Sequence, residues 1–327
     1  MFVKLSAKKQ MLSPNELTQP IFLVGCERSG TTLLRLMLDH HPDIAFNLES
    51  EYMVLKISDD GKFPELTAYQ VWLAQDRVFQ HSQFAINPNL DYPGLMSDFL
   101  QQKRTRKGKR YVGATIHHAF SRLRFLWPHA KFIYLYRDGR DVAASIVNMG
   151  WAGNSYVAAD LWLEAEAEWS SLRKHLSDQQ CLEVRYEDLI RQTEHELSKI
   201  CTFVGTQFHP QMLEYPAHTT YSLPDERLNF QWKRRMPKKE VQLLESKIGS
   251  KLLEREYPLS GHPVVSVSPL GRLVLLMDSN LRRFGWRIRR YGVMLVVLRA
   301  FALRMGSKTL VNRYDRMFDQ IDDEHLK

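Results

Sequence analysis

An α/β fold built on a doubly wound parallel sheet flanked by helices is what this 327-residue chain predicts, and three observations predict it. Short apolar or aromatic runs, above all Ile21 to Val24 and Lys131 to Tyr136, read as strands buried on both faces. Each is followed by a loop and then by a segment whose apolar residues recur at helical spacing. Strand and helix patterns keep alternating from residue 20 to residue 204, the order in which crossover helices join parallel strands.

Composition supports a globular chain, with 44% hydrophobic and 25% charged residues. No apolar run reaches the roughly eighteen residues that a spanning helix needs. The first ten residues lack the apolar centre of a secretory signal. Cys26, Cys181 and Cys201 are too scattered for a disulfide framework or a metal site. A cytoplasmic protein without a metal is therefore expected.

Residues 1–18 read as an N-terminal arm and residues 19–262 as the main domain. Ile21 to Val24 is the first strand, bounded by Pro20 and Gly25. A loop to Gly30 opens a helix with Leu33, Leu34, Met37 and Leu38 on one stripe, stopped at His41-Pro42. Ile44 to Phe46 is a second strand. Helices are expected near 65–75 and 92–105, a strand over Tyr111 to Ala114, and a helix from Ala119 to Leu126 halted by Pro128. Lys131 to Tyr136 is a central strand, followed by a helix over Val142 to Asn148. A long helix from Tyr156 to Leu176 carries Leu161, Trp162, Ala165, Trp169 and Leu172 on one side. Cys181 to Val184 is the last strand, and one helix runs from Tyr186 to about Val204.

The loop Gly25-x4-Gly30 has the spacing of a phosphate-binding P-loop. Helix N-termini present free N–H groups and a positive dipole end, which together attract anions. Thr31 stands where a nucleoside triphosphate loop needs lysine, so an ordinary triphosphate site is disfavoured. Arg28 offers a planar fork suited to phosphate or sulfate oxygens, and Thr31 and Thr32 add hydroxyls. Arg137 follows the central strand. In an open parallel sheet, ligands bind outside the carboxyl ends of the strands, where both the Gly25 loop and Arg137 fall.

These residues resemble the sulfotransferase superfamily that uses 3′-phosphoadenosine 5′-phosphosulfate (PAPS), its bacterial branch and the tyrosylprotein sulfotransferases above all. Val24-Gly-Cys-Glu-Arg-Ser-Gly-Thr-Thr-Leu-Leu-Arg35 is similar to the family's 5′-phosphosulfate loop, and Tyr136-Arg-Asp-Gly-Arg-Asp-Val-Ala-Ala-Ser145 to its 3′-phosphate motif. The resemblance, over roughly residues 19–260, implies that Arg28, Ser29, Gly30, Thr31 and Thr32 hold the 5′-phosphosulfate. It implies that Arg137 and Ser145 hold the 3′-phosphate, and that Tyr186 contacts the cofactor. The stretch Arg227 to Pro237 resembles the late loop that closes over PAPS, with Trp232 to stack and Lys233 to meet phosphate. Glu49, past the His41-Pro42 turn, lies at the spacing from Arg28 where tyrosylprotein sulfotransferases place their catalytic glutamate. It is the expected base for a hydroxyl acceptor in an in-line displacement, with Arg28 stabilising the leaving side. Glu51, His40, His41, His117 and His118 are the alternative bases.

The chain departs from the pattern twice. Cys26-Glu27 puts an acid beside the loop, and Gly113-Ala-Thr-Ile-His-His118 lacks the lysine that relatives carry before the second motif. His117 is then a substitute cation, or transfer is slow. Two other readings stay open: a degenerate P-loop nucleotide kinase or NTPase, and a non-catalytic nucleotide-binding scaffold of the same fold.

The formal net charge of +8 is concentrated in residues 263–327. Between Pro263 and Arg304 there are eight arginines against Asp278 alone, so the main body is near neutral and no nucleic-acid partner is expected. This basic helical extension interleaves arginines with Leu273 to Leu276, Phe284, Trp286 and Val293 to Leu298. Helices docked on the domain, a homodimer contact and a peripheral contact with an anionic membrane all fit that pattern. The segments 52–108 and 205–230 are expected to wall the acceptor pocket, whose occupant the sequence does not name.

Overall fold

A computed structural model of the chain describes residues 19–325; the arm expected over 1–18 lies outside the described residues. Strands β1 (Ile21–Val24), β2 (Ile44–Glu49), β3 (Tyr111–Ile116), β4 (Lys131–Tyr136) and β5 (Cys181–Arg185) form one sheet. All pairings are parallel, in the order β2-β3-β1-β4-β5. The short apolar β1, buried throughout, takes the centre, as a strand covered on both faces must.

Helices α1 (Thr31–His40), α2 (Leu66–Leu73), α3 (Arg77–Ser82), α4 (Tyr92–Lys107) and α5 (Leu123–Leu126) lie between β1 and β4 in the chain. Helices α6 (Gly139–Asn148) and α7 (Ser155–Arg173) lead to β5, and α8 (Tyr186–Arg191) and α9 (Thr193–Val204) follow it. The short α10 (Trp232–Arg235) and α11 (Lys238–Glu254) close the main domain. The extension folds as α12 (Pro269–Tyr291), α13 (Val293–Arg304) and α14 (Lys308–His325).

The core has three parts. On one face of the sheet, α1, α8 and α9 bury Leu34, Met37, Leu189, Leu197 and Ile200 against Leu23, Ile133 and Leu135. On the other, α2 to α5 bury Tyr69, Leu95, Phe99 and Leu123 against Phe22, Val24 and Ala114, and Trp169 of α7 joins them. Helices α6, α7 and α11 enclose Val142, Trp162, Leu244 and Ile248 beside this second layer.

Several elements differ from the sequence reading. The helix expected from Tyr186 to Val204 breaks at Gln192, whose φ of −130° and ψ of 52° are not helical. The stretch 119–126 is one 3₁₀ turn and a single α turn. Helix α3 was not foreseen in the apolar spacing; Asp76 starts it by accepting a hydrogen bond from the Phe79 N–H at 2.8 Å. Strands β2 and β3 each run further toward the carboxyl end than their apolar patterns, carrying Glu49 and Ile116 to the rim.

One buried ionic cluster locks the second motif in place. Arg140, fully buried, donates to both oxygens of Asp138 at 2.9 and 2.7 Å, to Glu245 at 2.7 Å and to the Pro258 carbonyl at 3.0 Å. The same Asp138 caps α6 through the Arg140 N–H and accepts the Trp232 indole N–H at 3.0 Å. A buried charge left without its partner is costly because neither water nor a counter-charge can replace it. Replacing Arg140 by methionine strands Asp138 and Glu245, and urea denaturation should show a loss of about 3–5 kcal/mol.

Candidate functional site

The parallel pairing of β1 with β4, Val24 opposite Tyr134, makes their two following loops leave the sheet side by side. The first loop turns at Gly25, where an added Cβ would sit 2.3 Å from the Leu135 carbonyl oxygen, so only glycine allows this close approach to β4. Arg28 sits in the left-handed region at φ 68°, an uncommon conformation for a residue with a side chain. From there its Nε donates to Ser145 Oγ at 3.0 Å, reaching across to α6. Gly30, at φ 96°, starts α1 with no side-chain cap and no acid in the first turn. With no side chain on them, the first N–H groups of α1 are left open toward the loop.

Arg137 enters from the end of β4. Its guanidinium donates to the Leu228 carbonyl at 2.9 Å and the Arg28 carbonyl at 3.4 Å, lies 3.5 Å from Asp141, and stacks 4.3 Å above the Tyr186 ring. Its Nε is buried without a partner, as is Ser29 Oγ. Burial raises the Tyr186 hydroxyl, with the Arg137 charge opposing. Asp141 is raised by burial against the opposing Arg137 charge and the Trp232 N–H, which it accepts at 2.8 Å. Sequence reasoning missed Asp141, although its position one helical turn after Arg137 was visible in the motif.

These groups surround one cavity of about 480 Å³. Arg28, Gly30, Thr31, Thr32, Arg137, Ser145 and Tyr186 line one side. Thr220 to Asp225 and Leu228 form the other, so part of the segment 205–230 expected at the acceptor faces the same cavity as Arg28 and Arg137. Ser29 lies behind the lining, buried. The donor set is almost wholly cationic guanidinium, hydroxyl and open backbone N–H, which suits a polyanion.

Two residues of the late loop stand elsewhere. Trp232 is buried with its ring 3.8 Å from the Arg140 guanidinium and its N–H on Asp138, so it does not face the cavity. Lys233 is exposed and lies 4.9 Å from the Phe230 ring, away from the lining. Neither side chain lines the cavity, and the Trp232 indole is held by the buried cluster, which fixes the loop.

Glu49 lies at the carboxyl end of β2, its side chain 54% exposed, with Oε1 3.9 Å from His117 Nε2. His117 is buried, and its Nδ1 lies 2.9 Å from the Gly25 carbonyl oxygen, which can only accept, so Nδ1 carries the proton. The imidazole thus stands between the loop and Glu49. Glu51 accepts the His117 N–H at 2.9 Å; burial raises it, opposed by the His117 charge. His40 and His41 lie apart from this group, His40 stacked on His218 and His41 bonded to the Gln207 carbonyl. Glu27 faces His118 at 2.7 Å. Burial works to raise Glu27, but the His118 hydrogen bond and the charges of both histidines bring it below its usual range. The acid beside the loop is thus occupied by a histidine.

A sulfotransferase family model matches residues 20–210. Protein-tyrosine sulfotransferase A of Caenorhabditis elegans is 25% identical over 207 residues, covering 60% of this chain and 52% of the relative. Protein-tyrosine sulfotransferase 1 of Danio rerio is 27% identical over 209 residues, covering 60% and 55%. The chain therefore spans about half the length of these curated relatives. Among solved structures, the sulfotransferase domain from the curacin biosynthetic pathway superposes with a TM-score of 0.55 at 20% identity, covering 75% of this chain and 99% of that one. The sulfotransferase domain of the Synechococcus PCC 7002 olefin synthase gives 0.51 at 19% identity, covering 72% and 98%. Both carry the same fold.

Two expectations follow from the geometry. An alanine at Gly30 must adopt φ 96° with its Cβ 2.4 Å from the Tyr186 ring, and thermal denaturation should show a loss of about 1–3 kcal/mol. The Glu27–His118 pair gives a stability term with two limits. Glu27 is lowered, so its part is present above its ordinary 4.5 and lost as pH falls through the lowered value. His118 is raised, chiefly by the Glu27 hydrogen bond, so its part is present below its ordinary 6.5 and lost as pH rises through the raised value. The stability difference between wild type and His118→Gln should therefore be largest between pH 4.5 and 6.5 and shrink on both sides. For a partly exposed pair it stays below about 1 kcal/mol.

Proposed function

Since the chain belongs to the sulfotransferase family, we propose that it moves a sulfuryl group from PAPS to a hydroxyl of its acceptor, with Glu49 as the base. The observation that carries this reading is the convergence of Arg28, Arg137, Ser145 and the uncapped start of α1 on one cavity. Two unpartnered buried polar atoms, Ser29 Oγ and Arg137 Nε, also fit a bound polyanion. Arg28, Ser29, Gly30, Thr31 and Thr32 are the residues we assign to the phosphosulfate, and Arg137 with Ser145 and Tyr186 to the 3′-phosphate end. PAPS supplies the activated sulfuryl group.

The protein's own part is to position and to handle charge. The loop N–H groups and Arg28 offer fixed donors where negative charge builds on the leaving side; one such donor is worth about 3 kcal/mol. Glu49, accessible at the rim of β2, takes the proton of the attacking hydroxyl. His117, bonded to Gly25 and facing Glu49, keeps the base in register with the loop. The curated relatives are protein-tyrosine sulfotransferases, which supports a hydroxyl-bearing acceptor.

A thermal-shift comparison tests the donor. Adenosine 3′,5′-bisphosphate should stabilise the protein by about 2.7 kcal/mol at 100 times its dissociation constant. Stabilisation by ATP with Mg²⁺ and none by the bisphosphate would sink the sulfotransferase reading in favour of a nucleotide kinase. Glu49→Gln should keep the bisphosphate shift and lower transfer from PAPS roughly 10²–10⁴-fold. Unchanged transfer in that variant would remove Glu49 as the base and leave the donor assignment standing.

A further inference from the structure

Helix α12 is seated on the domain by one narrow face. Ser279 is 2% exposed, and its Oγ accepts the Gly153 N–H at 2.9 Å. Asn154, the cap of α7, donates to the Leu275 carbonyl at 2.8 Å and to Asp278 at 2.9 Å. The approach is close: a Cβ on Gly150 would stand 2.2 Å from the Trp286 ring, and one on Gly153 2.1 Å from the Ser279 carbonyl oxygen. By helical spacing Ser279 and Trp286 share this face.

The opposite face is apolar and uncovered. Leu273, Met277, Leu281 and Phe284 recur at three- and four-residue intervals and are 47%, 56%, 73% and 50% exposed. In α13, Met294 and Phe301 are 76% and 61% exposed. Soluble surfaces rarely leave so many large apolar side chains together in water. By the same spacing, Arg287 flanks the apolar stripe on one side and Arg282 and Arg289 on the other, while Arg272 and Arg290 fall on the seated side with Ser279 and Trp286. Asp278 and Asp322 pair with Arg282 and Arg290, whereas Arg272, Arg287 and Arg289 make no ion pair to a described residue.

We infer that α12 and α13 lie on an anionic lipid surface, with the apolar stripe in the acyl boundary and the arginine flanks at the headgroups. A helix docked on protein by its polar side, with an outward apolar stripe flanked by arginines on both sides, has the cross-section of an interfacial helix. No helix among the described residues is long and apolar enough to cross a membrane, so the contact is peripheral. A second copy of this chain fits less well. Pairing the two stripes would set flanking arginines against flanking arginines, and the single acid of α12, Asp278, is already paired. A nucleic acid would meet the arginines and leave the apolar stripe in water. The inference does not depend on the proposed activity.

Co-sedimentation of the full chain with vesicles tests it. Vesicles of phosphatidylcholine with about one third phosphatidylglycerol should bind the chain, phosphatidylcholine alone should bind it weakly, and salt should release it. The double variant Leu281→Glu with Phe284→Glu, melting at the wild-type temperature, should lose binding on the order of tenfold or more. Arg287→Gln with Arg289→Gln should weaken binding to the anionic vesicles about fivefold per arginine and leave neutral vesicles unaffected. Absence of wild-type binding to anionic vesicles, or full binding by the glutamate variant, overturns the proposal. A wild-type dimer that ignores vesicles and becomes monomeric in the glutamate variant also overturns it, and assigns the face to a second copy.

Discussion

The parallel register of β1 against β4 is the constraint on which the site depends. Because Val24 lies opposite Tyr134, the Gly25 loop and the Arg137 turn emerge at the same height and cannot avoid each other. That proximity explains the glycine at position 25, whose missing side chain makes room for the Leu135 carbonyl. It also lets a single residue, Arg28, bond the first helix of the second motif through Ser145. Two segments more than a hundred residues apart in sequence thus become one wall of the cavity, set side by side by the β1–β4 ladder and tied by the Arg28–Ser145 hydrogen bond.

Around that wall the charges divide into those the fold uses and those left open. Asp138, Arg140 and Glu245 saturate one another in the interior, and Trp232 covers them. Arg137, three residues before Arg140, keeps a buried Nε without a partner, and Ser29 keeps its hydroxyl. Buried polar groups are nearly always bonded, so the exceptions carry information. Within one short motif, one arginine is satisfied and holds the turn while its neighbour is left incompletely bonded at the cavity. Asp141 is intermediate: it orients Arg137 and anchors the 230s loop, so the position of the cavity's far wall depends on a carboxylate that does not line it.

The strands and the two motifs were legible in the sequence because each is local. An apolar run bounded by Pro20 and Gly25, or a helix start after Arg137, needs no distant partner to be read. What was not legible depended on contacts across the chain. Trp232 has the composition of a stacking residue, and only the buried Arg140 beneath it shows that its ring is already engaged. The break at Gln192 is a backbone conformation with no proline or glycine to announce it. Glu27 looked unfavourable beside an anion loop until His118, from the far end of β3, was found against it. His117 was visible as a histidine, but not as the bridge from Gly25 to Glu49, which the parallel pairing of β1 with β3 creates.

The C-terminal extension shows the same limit from the opposite direction. Arginine and leucine alternating at helical spacing describe equally a helix that buries its leucines on the domain and one that presents them outward, since hydrophobic periodicity fixes a face but not its direction. What decides between them is small and polar. Gly150 and Gly153 offer no side chains for leucines to pack on, and the N–H of Gly153 with the amide of Asn154 offers hydrogen-bond donors. Such a seat accepts Ser279 and the flat ring of Trp286, and once they are docked the leucine stripe has nowhere to go but out. The direction of the apolar face in α12 is therefore set by two glycines in the α6–α7 connection.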